Sequence, residues 1–432
     1  MGKGFYALVR VTDLAPYITR LILPVEKDVT DVPDDAFDVY AERYDKDGTI
    51  LMLPTGNPFA PGPKTYAPSK GNLKVRKAYP SDSQGNAARS GRFITLELAY
   101  GPAYPLSSKM AVPRVFNEII YHSITVKQQK LISCADETTL NYLTYDKLLE
   151  ERWPDSKDFL TGESFHAGYP IRYGYFIPQG PGAKKPLLIW LHGAGAGGKD
   201  PRITYVGKKL TALATPKIQS CFGEGGCYIL TPQIETYWLD DGTKNGGMSD
   251  SGQSLYGQTL MDLIKEFLEK NPGIDRDRIY LAGDSNGGFM TMRMIMDYPD
   301  FFAAANPNCE AMLDRHISDE DIANLKDLPI WFCHAKNDPV VLPSLYVVPT
   351  YERLIAAGAK NVHFTFWDNI TDLHQTYEEI GGKPHEYLGH FVWVPVLNDD
   401  CRLDYDGKPV YADGEPVSLF RWLGKQHRQL QK

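Results

Sequence analysis

The chain has 432 residues, 43% of them hydrophobic and 23% charged, with a net charge of −8 at neutral pH. Those proportions suit a globular protein with a large core, and the negative balance argues against nucleic acid or an anionic membrane as the main partner. No run of about 18 apolar residues is present to span a bilayer.

The length suggests two or three domains. Met1-Gly2-Lys3-Gly4-Phe5 lacks the apolar stretch of a secretion signal, which leaves a cytoplasmic protein or a secreted one whose signal has been removed. Six cysteines spread over the chain make no disulfide scaffold and no zinc-type pair. Cys221 and Cys227 flank Gly-Glu-Gly-Gly and either close a small loop or stay as free thiols; Cys333 reads as core.

Residues 1–128 carry short β-rich runs at 6–11, 18–23, 37–40, 73–75 and 93–98, separated by Pro- and Gly-rich stretches at 54–63 and 80–91. Alternation of apolar and polar residues is clearest in Phe93-Ile94-Thr95-Leu96-Glu97-Leu98, and the set predicts a small all-β sandwich. Such a domain either binds carbohydrate or polymer or simply packs.

Residues 129–432 alternate strands and helices, the signature of an α/β sheet. Tyr173–Pro178 reads as an early strand, and Leu187-Leu188-Ile189-Trp190-Leu191 is a continuous apolar run of the kind buried on both faces. Tyr228–Thr231 follows. Leu260, Leu263, Ile264, Phe267 and Leu268 mark one helical face, stopped by Asn271-Pro272-Gly273. Further strands are expected at 278–281, 302–305, 330–333 and 362–366, with helices at 289–296 and 350–357.

The chemistry centres on Gly283-Asp284-Ser285-Asn286-Gly287, which fits G-x-S-x-G between a strand and a helix. A serine presented on so tight a turn needs small neighbours two residues away on either side. A hydroxyl also needs a base held by a carboxylate, and in this arrangement they follow in the order Ser, Asp, His. Asp338, just past the strand ending at Cys333, is the best acid; Asp314, Asp368 and Asp372 are rivals. His390, in Gly389-His390-Phe391, is preferred as base over His374 and His385; His385 either lines the site or is a solvated side chain.

The glycine-rich loop after the apolar strand, Leu191-His192-Gly193-Ala194-Gly195, suits a backbone N–H donor to an oxyanion, alongside the N–H of Asn286 after the nucleophile. It lacks the ending of a phosphate-binding loop. No metal-ligand spacing and no cofactor motif is expected to contribute.

These segments, with Trp331-Phe332-Cys333-His334-Ala335-Lys336-Asn337-Asp338 and Gly389-His390-Phe391-Val392-Trp393, resemble the α/β-hydrolase superfamily, in particular prolyl-oligopeptidase-like and polyhydroxybutyrate-depolymerase-like esterases. The β-rich start resembles the immunoglobulin-like domain that precedes some bacterial carboxylesterases. The resemblance implies a mostly parallel central sheet and Ser285, Asp338 and His390 as triad, with Ala194 and Asn286 supplying the oxyanion donors. It departs at 367–384, where family members often reach the histidine sooner.

The expected activity is hydrolysis of carboxylic esters, with short acyl groups or aryl and carbohydrate-linked alcohols favoured. A prolyl-oligopeptidase-type peptidase and a glycan-binding protein with a degenerate hydrolase half are the alternatives. Trp238 either walls the substrate pocket or packs as an ordinary tryptophan, and the Gly/Ser-rich loop 242–257 is a candidate rim.

Overall fold

The structure is a computed structural model that describes residues 2–54, 65–182, 184–377 and 383–428. The stretch expected as a connection at 54–63 lies, beyond Pro54, outside the described residues, as do 378–382 in the long segment before the histidine. Two compact units form, one from residues 1–157 with 374–383, the other from 158–373 with 384–432.

The first unit is all β. The long strand Pro16–Asp31 pairs antiparallel with Lys3–Val11, Gly91–Leu98 and Ile132–Cys134. Val9, Leu21, Leu23, Val39, Ile94, Leu96 and Val126 fill one core, because alternate residues of each strand point inward. A boundary at 128 would cut this unit. Thr144–Arg152 is also one of its strands, parallel to Lys3–Val11 and antiparallel to Tyr121–Gln128. Its sequence, TYDKLLEER, hides this: only Tyr145 is buried, and the rest lacks the alternation of a half-buried strand. The first unit therefore reaches Lys157.

Residues 374–383 belong to the same unit. Tyr377 is buried there between Tyr17 and Tyr100, shares a hydrogen bond with the Thr12 hydroxyl at 2.8 Å and accepts one from the Leu14 N–H at 3.0 Å. This excursion lengthens the path to the histidine.

In the second unit the strands are β1 (Leu160–His166), β2 (Tyr169–Phe176), β3 (Lys185–Leu191), β4 (Tyr228–Gln233), β5 (Ile274–Asp284), β6 (Ala304–Asn308), β7 (Ile330–Ala335) and β8 (Val362–Trp367). They lie in the order 1-2-4-3-5-6-7-8. The β1–β2 and β2–β4 pairs are antiparallel and every later pair is parallel. This is the mostly parallel sheet expected of an α/β hydrolase. Helices Gly257–Lys270 and Asn286–Asp297 cover it, burying Leu260, Leu263, Ile264, Met290, Met294 and Ile295 against Leu187, Ile189 and Leu281. A sheet buried on both faces needs uninterrupted apolar runs, and residues 187–191 of β3 and 279–282 of β5 supply them. Both Cys221 and Cys227 are free thiols, and Cys333 is in the core.

Candidate active site

The turn between β5 and the helix Asn286–Asp297 carries Ser285 at φ 56° and ψ −117°, a region a β-carbon makes costly by about 1–3 kcal/mol. The Ser285 N–H donates to the Asn308 carbonyl at 2.9 Å, which fixes the turn to β6. Its small neighbours are required by close backbone approach. A β-carbon on Gly287 would lie 2.0 Å from the Leu191 carbonyl oxygen, and one on Gly283 would lie 2.5 Å from the Gly287 carbonyl oxygen.

His390 Nε2 lies 2.9 Å from Ser285 Oγ, and its Nδ1 lies 2.7 Å from Asp338 Oδ2. A carboxylate accepts only, so Nδ1 carries the proton and Nε2 is left to accept from the serine hydroxyl. The loop bearing His390 can reach Asp338 because the preceding residue is glycine. A β-carbon on Gly389 would sit 2.1 Å from the Asn337 side-chain oxygen.

Asp338 is 2% exposed. Its Oδ1 accepts from the N–H groups of Val340 and Val341 at 2.8 and 3.1 Å, and its Oδ2 accepts from His334 Nε2 at 3.0 Å as well as from His390. Burial alone would raise its pKa, but the hydrogen bonds from His334 and His390 outweigh it and hold the carboxyl below the usual range. His334 gave no functional signal in the sequence; its partner four residues on is visible only once the turn after β7 is formed.

Of the rival acids, Asp314 is taken up by Arg353 and Thr350 at 2.9 Å each, and Asp368 pairs with Lys336 at 2.7 Å. Of the rival bases, His374 belongs to the first unit. His385 is half-buried, edge-on to Tyr387, and its carbonyl accepts from the Asp372 N–H.

Ala194 opens a short 3-10 turn, Ala194–Ala196, directly after β3, and Asn286 is the first residue of its helix. The first N–H groups of a helix have no partner within it and sit at its positive end, so the Asn286 N–H suits anion binding; the Ala194 N–H, first in its turn, likewise has no partner inside that turn. Gln233, at the end of β4, donates to the Ala196 and Asp200 carbonyls at 2.9 Å each and pins the loop. The Asn286 side chain has its own task, accepting from the Leu239 N–H at 3.0 Å.

His192 is wholly buried, with Nδ1 donating to the Gly193 carbonyl at 2.8 Å. Burial lowers its pKa to about 4, so the ring is neutral near pH 7. Trp238 is 0% exposed and packs against His192 and Tyr256, with ring centroids 5.2 and 6.1 Å away. It is a core residue; a side chain with no accessible surface does not wall an open pocket.

Residues 4–141 match the family described as "Esterase Ig-like N-terminal domain", and residues 174–372 match "Phospholipase/Carboxylesterase". The second stretch contains Ser285 and Asp338 and stops before His390. A solved structure, "Crystal Structure of a Thermostable Esterase", superposes with a TM-score of 0.72 at 23% identity, covering 99% of this chain and 100% of that one. A poly(3-hydroxyalkanoate) depolymerase C from Paucimonas lemoignei is 30% identical over 139 residues, 30% of this chain and 29% of its own length. An uncharacterized secreted protein of Arthroderma benhamiae is 26% identical over 249 residues, 52% of this chain and 23% of its own length. The match thus spans less than a third of the length of either relative. The chain thus joins a stretch similar to the immunoglobulin-like N-terminal domain of esterases to one similar to phospholipase/carboxylesterase domains, the latter on an α/β-hydrolase fold.

Proposed function

We propose that this protein is a serine carboxylesterase in which Ser285 is the nucleophile, His390 the general base and acid, and Asp338 the group that orients the imidazole. The observation that carries the reading is the continuous hydrogen-bond chain from Ser285 Oγ through His390 to Asp338, at 2.9 and 2.7 Å. His390 Nε2 takes the hydroxyl proton as Oγ attacks the ester carbonyl. The N–H groups of Ala194 and Asn286 receive the oxyanion of the tetrahedral intermediate. Collapse expels the alcohol, protonated by His390, and leaves the acyl group on Ser285. Water, deprotonated by the same nitrogen, attacks that ester, and the acid leaves as Oγ regains its proton.

Short acyl groups are the proposed preference. A cavity of about 90 Å³ lies against Phe289, one helical turn past Ser285, lined also by Leu239, Met312 and Tyr346. One water needs about 10–15 Å³ of such space, so the cavity holds a group of several heavy atoms rather than a long chain.

A fluorophosphonate probe tests the assignment: the expected adduct is on Ser285 alone, blocked by pre-incubation with an ester substrate. A panel of acetyl, butyryl and octanoyl esters, with matched anilides, should give rates falling with acyl length and esters well above amides. An adduct on another residue, or anilides turned over as fast as esters, would contradict the reading.

A further inference from the structure

Asp284, the residue between Gly283 and the nucleophile, is 0% exposed. A carboxylate so placed must be paired, because an isolated buried charge is too costly to keep. Its Oδ1 accepts from the Trp190 indole N–H at 2.9 Å, and its Oδ2 pairs with the Lys208 ammonium. The sequence gives no hint of the pair, since the partners are 76 positions apart.

Lys208 touches more than Asp284. Its Nζ lies 4.3 Å from the centroid of the Trp393 ring, and that ring stands edge-on to His390, 6.1 Å away at 87°. The loop that presents Ala194 backs onto the same ion pair. A β-carbon on Gly193 would be 2.6 Å from Asp284 Oδ2 and 3.6 Å from Lys208 Nζ, so this glycine rests directly on it. One ammonium therefore meets the nucleophile turn, the donor loop and the aromatic ring beside the base.

An ion pair that only offset the burial of Asp284 would not need the second and third contacts. We propose that Lys208 is a positioning residue for ester hydrolysis, holding Ala194 N–H and the His390 ring in register with Ser285; the proposal rests on the serine-esterase reading above. The paired charges leave little net field, so the effect is geometric. Cation–π contact with Trp393 and packing beneath Gly193 restrict where the two loops can move. The two loops so held carry groups that act on the developing oxyanion and on the proton in transfer, so the loss on removing the ammonium falls on kcat rather than KM.

The test is the Asp284→Asn/Lys208→Met double variant, which removes both charges with similar volume and leaves no unpaired buried ion. With p-nitrophenyl acetate, kcat is expected to fall by about tenfold to a hundredfold, with KM within about twofold and a Tm near that of the wild type. Lys208→Arg, which keeps the charge, is expected to retain at least about a third of wild-type kcat. A double variant with wild-type kcat overturns the proposal, as does a loss confined to KM or matched by the unfolded fraction. Ser285→Ala, assayed alongside, separates the two readings. If it hydrolyses the ester as fast as the wild type, the esterase reading fails and the Lys208 proposal with it. If wild-type turnover depends on Ser285 but the double variant matches it, only the Lys208 proposal fails.

Discussion

His334 and His390 donate to the same oxygen of Asp338, Oδ2, from 3.0 and 2.7 Å. His334 Nε2 also lies 3.0 Å from the Val341 carbonyl, so it faces two acceptors and must carry the proton. The carboxylate is thereby held from one side by a buried imidazole while it orients the other. A hydrogen bond to a charged group contributes about 1.5–3 kcal/mol. His334→Ala should therefore lower kcat/KM by about tenfold to a hundredfold through a looser Asp338. His334→Gln, whose amide can still donate, should recover part of the loss. Steady-state kinetics on p-nitrophenyl acetate checks it; equal rates in both variants and the wild type would assign His334 to packing alone.

Replacing Asp338 itself tests the tautomer. Asn in its place offers an N–H₂ group where the imidazole Nδ1–H now donates, which favours the wrong tautomer. Loss of about 10⁴-fold in kcat is expected, with little change in KM. A loss of less than about tenfold would move the orienting role to another residue.

The close approach at the nucleophile turn makes a prediction about stability whose sign runs against helix propensity. In an open helix, Gly→Ala is favourable by about 1 kcal/mol. Gly287→Ala would instead place a methyl group 2.0 Å from the Leu191 carbonyl oxygen, a backbone atom with nowhere to move. Overpacking of this kind costs about 1–3 kcal/mol or more, and it pushes the helix away from β3. The variant should show a lower Tm and less activity per folded molecule; a raised Tm would contradict the geometry.

His192 sets a pH dependence. Its folded-state pKa is about 4, caused first by burial, against roughly 6.5 in an unfolded chain. Between those values the unfolded state binds a proton that the folded state refuses. Stability contributed by the neutral ring is thus intact above pH 6.5 and is lost as pH falls toward 4. The full loss is on the order of 3 kcal/mol. His192→Gln removes the titration, so urea unfolding at pH 7 and pH 5 should show a shallower decline in the variant by about 2 kcal/mol. Parallel declines would place the histidine in water.

Much of this site could be read from the chain because its requirements are local. Gly283, Gly287 and Gly389 are each demanded by a backbone or side-chain atom within 2.5 Å of a missing β-carbon, and such glycines leave a pattern. Asp338 and His390 follow strands whose apolar runs are unmistakable. Trp238 illustrates the opposite case: a tryptophan after a strand reads the same whether it faces a pocket or the core, and burial decides. Thr144–Arg152 escaped notice because an exposed strand needs no apolar alternation. Contacts between distant loops, such as Lys208 with Asp284 or Gln233 with Ala196, have no signature in sequence at all.

The central claim is that Ser285 is the nucleophile of an esterase, and turnover of p-nitrophenyl acetate by Ser285→Ala tests it most directly. Loss of one hydroxyl from a preformed turn should leave Tm within about a degree or two, or higher, since surface-scale changes cost at most about 0.5 kcal/mol. Activity should fall to the level of the uncatalysed reaction plus whatever the oxyanion donors supply, at least about 10⁴-fold below the wild type. A folded Ser285→Ala protein that turns over the ester at a rate near the wild type's would contradict the account.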